Sequence, residues 1–120
     1  YHTNVMMCVA DQFVVICLDC IDDETERVNV VNTILESGKE IIEISEDQMQ
    51  QFAGNMLQVQ NEDGKKFLVM SETAYNSLTP EQISAIKKYN EIIYSNLETI
   101  EINGGGSARC MLAEVFLPKR

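Results

Sequence analysis

The sequence predicts a mixed α/β chain built from two successive strand–strand–helix–strand units. Three observations carry this. Each half opens on a pair of β-rich runs parted by a short polar break. Each half then carries segments of helical spacing and closes on an Ile-Glu-Ile stretch ending at Ile44 or Ile102. Asn4–Met7 and Asn55–Gln58, the openings of the two halves, lie 51 positions apart, and a period near fifty points to a propeller or an array of similar units.

Asn4–Ala10 and Phe13–Leu18, separated by Asp11 and Gln12, read as a hairpin. Asp22 and Asp23 offer helix N-caps, Val28, Val31, Ile34 and Leu35 recur at helical spacing, and Gly38 sits at the C-cap, so a helix is expected over about 23–37. The short β-branched stretch Glu40–Ser45 follows as a strand. Ser45 and Gln48 have capping-box spacing, with Met49 and Phe52 on the buried side of a short helical link. Asn55–Val59, an Asp63-Gly64 turn and Lys66–Met70 make a second hairpin. Ser71–Leu78 reads as a short helix. Thr79, Pro80 and Gln82 start another, with Ile83, Ile86, Tyr89 and Ile93 along one face. Leu97–Ile102 closes the unit as a strand, and the glycine-rich segment Asn103–Cys110 leads into a final strand over 110–117. The 120 residues form one domain, with units of about 1–45 and 46–102.

Hydrophobic residues make up 45% of the chain, enough for a packed core and too many for disorder. The longest apolar run, Phe13–Leu18, is far short of the ~20 residues of a membrane helix. A net charge of −10 repels phosphate backbones and anionic lipid, so nucleic acid and membrane are not expected partners, whereas a cationic small molecule is favoured. The start at Tyr1-His2-Thr3, without Met or a signal pattern, suggests a piece of something longer.

Cys8, Cys17, Cys20 and Cys110 form no dense disulfide framework, which fits reduced thiols and a cytoplasmic location. The pair Cys17 and Cys20 has zinc-knuckle spacing, but no second pair follows and His2 is the one histidine, so a closed four-ligand zinc site lacks donors. No metal or other cofactor is expected.

Chemistry concentrates near the C-terminus. Gly104, Gly105 and Gly106 can adopt backbone angles closed to other residues and let a ligand approach the main chain, with Cys110 four positions on. By spacing alone Cys110 is equally a small buried residue at the start of a strand, with Arg109 pointing to the opposite face. His2 is the one imidazole available as a general base, unless it is merely a frayed terminal residue. The glycine run lacks the Gly-Lys-Ser/Thr ending of a P-loop, which disfavours a nucleotide.

His2–Val5 opening a hairpin, with Gly104–Met111 near the C-terminus, resembles the guanidino-group-modifying enzymes of the pentein superfamily, closest to its arginine deiminase-related and amidinotransferase-like members. Phe52–Leu57 and Ser71–Leu78 fit the same pattern, and the resemblance covers essentially the whole chain. It implies five ββαβ units around a pseudo-fivefold axis, of which this chain supplies about the last two. It makes Cys110 the nucleophile that attacks a guanidine or amidine carbon to give a covalent thiouronium intermediate, and His2 the proton donor to the leaving amine. Asn4, Gly105, Gly106 and Ser107 would face the substrate. Many relatives carry Asp where this chain has Asn4, and acidic residues of earlier units would complete the site. A non-catalytic binding module on the same scaffold is the alternative. Unfinished hairpin edges predict self-association or pairing with an upstream part.

Overall fold

The computed structural model describes residues 3–113. They form two three-stranded sheets of identical topology, each with an antiparallel hairpin followed by a parallel strand.

The first sheet joins β1 (Met7–Val9), β2 (Phe13–Ile16) and β3 (Glu40–Glu43). Cys8 pairs with Val15 across the hairpin and Val15 with Ile42 in the parallel ladder. Before β1, residues expected to extend the strand instead form a helical turn, α1 (Thr3–Met6). The parallel crossover from β2 to β3 runs through a 3-10 turn (Leu18–Cys20) and α2 (Glu24–Glu36). The Asp23 side chain accepts from the Glu26 N–H to start α2, and Gly38 at φ +81° turns the chain out of it. The buried stripe of α2 is narrower than its apolar spacing suggests: Ile34 is buried, whereas Val28 and Leu35 are exposed.

The second sheet joins β4 (Leu57–Gln60), β5 (Lys66–Ser71) and β6 (Glu91–Ser95). It is preceded by α3 (Glu46–Gln50), whose capping box between Ser45 and Gln48 has both arms made. Gly64 takes φ +82° in the β4–β5 turn. The crossover holds α4 (Glu72–Ser77), capped by Ser71, and α5 (Pro80–Lys87), with a complete Thr79–Gln82 capping box. The helix stops at Lys87, so Tyr89 and Ile93 do not extend its face; Ile93 lies in β6.

The expected strand over Leu97–Ile102 is instead a helix, α6 (Glu98–Gly104). The Asn96 side chain accepts from the Glu98 N–H at its start, and Glu101, placed by the sequence in the closing strand, is buried and hydrogen-bonded on the helix. The unit therefore closes on β6, earlier in sequence. The expected strand over 110–117 also fails at its start, because Cys110 lies in a last short helix, α7 (Ala108–Met111); residues 114–117 lie outside the described part.

All four β2 residues are buried because the strand has two covered faces. Phe13 and Val15 enter the main core with Cys8, Ile42, Met56, Leu68, Met70 and Ile86, which draws on both sheets. Val14 and Ile16 face Ile34 of α2 in a smaller cluster. β6 is the least covered strand, with Ile93 and Tyr94 about half exposed, although Tyr94 stacks on Tyr75 at 4.2 Å between ring centroids. Among the described residues no helix is long and apolar enough to cross a membrane.

Asp11, in the first hairpin turn, ties the two sheets at the surface by accepting from Lys66 of β5 and from Gln58 Nε2 of β4 at 2.8 Å. The Lys66 hydrogen bond, then the Gln58 one, hold its carboxyl below the ordinary value of 3.8. A carboxyl depressed in the folded state stabilises above its unfolded value, and that contribution is lost as pH falls through the folded one. Asp11→Asn should therefore reduce stability slightly near neutral pH, by less than about 1 kcal/mol for so exposed a pair, and the difference from wild type should vanish in urea titrations at strongly acid pH.

Candidate active site

Three segments distant in sequence meet at the side chain of Asn55, which is 1% exposed. After α3 the chain turns through Phe52, whose φ of +66° is uncommon for a residue with a side chain. It then runs beneath α1: a Cβ on Gly54 would lie 2.3 Å from the Val5 carbonyl oxygen. This approach brings Asn55 Nδ2 to the Asn4 carbonyl oxygen at 2.9 Å and to Cys110 Sγ at 3.3 Å. Its Oδ1 accepts from the Arg109 N–H at 3.2 Å. One buried amide thus fixes α1 and α7 relative to each other, with both donor hydrogens and the acceptor committed.

Cys110 is exposed, so the reading of it as a buried strand residue does not hold. Its thiol sits at the surface end of the Asn55 cluster. Gly106 presses against it, since a Cβ there would be 3.1 Å from Cys110 Sγ and 3.2 Å from its Cβ. The loop that makes this contact is anchored inward. Gly105 ends α6 at φ +69°, and the fully buried Ser107 hydroxyl donates to Glu101 Oε2 at 2.7 Å while its carbonyl accepts from the Cys110 N–H at 3.1 Å. Glu101 Oε1 accepts from Thr73 Oγ1 at 2.9 Å, which ties the loop to α4. The Ser107 hydroxyl is thereby engaged in the interior, and Asn4 joins the cluster through its backbone carbonyl.

Burial pushes the Cys8 thiol up to about 11, and the Arg109 guanidinium partly offsets this. Cys8 is thus a neutral core residue, not a second nucleophile.

The structure brings Cys110, Gly106 and Asn4 together around Asn55, with Gly105 and Ser107 shaping the loop. His2 lies outside the described residues. Asn55 and Glu101 are the residues that pattern reading missed. In sequence Asn55 opens an expected hairpin and Glu101 lies in an expected closing strand. A polar cleft of about 250 Å³ lined in part by Phe52, Thr73 and Glu101 shares the loop's anchor but does not include Cys110.

Comparison with known families assigns the chain to the guanidino-group-modifying hydrolases of the pentein type, which act on guanidino C–N bonds. More narrowly, the sequence model of eukaryotic N,N-dimethylarginine dimethylhydrolase matches residues 1–117, and the chain belongs to that family. The two ββαβ-ordered sheets are compatible with a portion of that fold. The match is to a hydrolase family and lends nothing to the amidinotransferase alternative. No individually curated protein matches the chain.

Proposed function

We propose that this chain forms the cysteine-bearing part of an enzyme that hydrolyses a methylated arginine or a closely similar guanidine, releasing an amine and leaving a ureido product. The observation that supports this most directly is the exposed Cys110 thiol held by the buried amide of Asn55 and backed by Gly106. A guanidinium carbon flanked by three nitrogens is a poor electrophile, so a soft, strong nucleophile suits it.

In this reading Cys110 Sγ forms a bond to the guanidinium carbon, and the tetrahedral adduct expels the amine, which takes a proton from His2. A thiouronium remains on sulfur. His2 then removes a proton from water, the hydroxide adds to the same carbon, and the C–S bond breaks to return Cys110 and the ureido group. Gly105 and Gly106 allow the substrate to approach the main chain, Ser107 fixes that loop through Glu101, and Asn4 faces the substrate where relatives carry a carboxylate. Five ββαβ units, with this chain as the C-terminal two, would supply the remaining carboxylates for the cation, and the net charge of −10 favours such a ligand.

Incubation of the protein, with any upstream sequence it carries, with N,N-dimethylarginine should yield dimethylamine and the ureido amino acid in equal amounts. Arginine analogues lacking the guanidino carbon should give neither. Saturable binding of dimethylarginine without product would instead identify the non-catalytic module.

A further inference from the structure

At the C-terminal end of β2, beside α1, the Cys20 sulfur meets two others. Cys17 caps the 3-10 turn and is fully buried, and the turn brings Cys20 Sγ to 2.8 Å from Cys17 Sγ. From the second unit, Met49 on α3 places its Sδ 3.2 Å from the same Cys20 Sγ. By spacing alone, Cys17 and Cys20 leave a zinc ion too few donors. The thioether 29 residues on was invisible to that spacing. Among the described residues no three His, Cys, Asp or Glu side chains are grouped for a metal, so a hard or borderline ion has no full donor set here.

A pair of thiols and a thioether is the donor set that selects a soft monovalent ion. Cys20 is partly exposed, which gives an entry path, while Cys17 and Met49 supply a largely apolar surround. The carboxylates of Asp19 and Glu46 lie near enough to act on the Cys20 thiol, and their field favours a cation.

We propose that Cys17, Cys20 and Met49 form a three-coordinate, all-sulfur site for a soft monovalent metal ion of the Cu(I) type. Binding parts the Cys17 and Cys20 sulfurs from their 2.8 Å contact, forms two metal–thiolate bonds and one metal–thioether bond, releases the two thiol protons to solvent, and changes no oxidation state. The site joins the β2–α2 connection of the first unit to α3 at the head of the second, so occupancy clamps the two units together.

The test is anaerobic titration of the protein with Cu(I) against a chromogenic Cu(I) chelator, with X-ray absorption on the loaded sample. One equivalent should bind with an all-sulfur shell, Cys17→Ala should weaken binding by about 100-fold, and Met49→Leu by about 10-fold. Met49→Leu conserves volume, so it reports on the site even if Cys17→Ala fails to fold. Cys110→Ser should leave the stoichiometry and the shell unchanged. The proposal is overturned if Met49→Leu binds like wild type, if Cys110→Ser loses the ion, or if mass spectrometry shows a Cys17–Cys20 disulfide in place of bound metal.

Discussion

Cys110→Ser is expected to lower dimethylamine release from N,N-dimethylarginine by on the order of 10³-fold or more while leaving the unfolding midpoint within experimental scatter. The activity loss follows from chemistry: a hydroxyl is harder and far less acidic than a thiol and so a far weaker nucleophile here than a thiolate, and no other described cysteine can replace Cys110. Cys8 is buried and held protonated, Cys17 is fully buried, and the Cys20 thiol is pushed up to about 12. The stability result follows from exposure, since an isosteric surface change leaves the core untouched. Asn55→Ala sharpens the test, because Asn55 donates to Cys110 Sγ and to the Asn4 carbonyl but has no proposed contact with substrate. As a positioning residue its loss should reduce kcat and alter the pH profile of Cys110 alkylation. A merely structural role would lower the unfolding midpoint and leave that profile in place. Equal turnover by wild type and Cys110→Ser would remove the covalent mechanism altogether.

Local chemistry made much of this fold legible. The capping boxes Ser45–Gln48 and Thr79–Gln82, the Asp23 cap and the Asp63-Gly64 turn each involve partners within four residues, and all appear where spacing placed them. The errors fall where long-range partners decide. Leu97–Ile102 ends on Ile-Glu-Ile like the strand that closes the first unit, but Glu101 accepts from Thr73, 28 residues back, and from Ser107, and those bonds form on a helix. Thr3–Met6 has strand composition, yet Gly54 lies so close beneath it that it turns helical before the ladder begins. The same division holds at the candidate site. Cys110 and the glycines were conspicuous by composition, whereas Asn55, which joins Asn4, Arg109 and Cys110 across more than fifty residues, is an ordinary asparagine after a glycine until the chain is folded.

That dependence on one close approach makes Gly54 the glycine at which an added methyl group does the most damage. The added Cβ would lie 2.3 Å from the Val5 carbonyl oxygen and 2.9 Å from the Met6 carbonyl carbon. Both are backbone atoms, so no side-chain rotation relieves the overlap and either α1 or the Ala53–Asn55 segment must move. Gly38→Ala provides the contrast: its Cβ would meet nothing within 4 Å, and only the left-handed φ of +81° opposes it, at about 1 kcal/mol. Gly54→Ala should lose about 3 kcal/mol or more in urea titrations. Any folded fraction should also show slower Cys110 alkylation, because shifting Ala53–Asn55 withdraws the Asn55 amide from the thiol and from the Asn4 carbonyl together. A Gly54→Ala protein as stable as Gly38→Ala would mean that α1 does not rest on this segment, and the arrangement that holds Asn55 against Cys110 would fall with it.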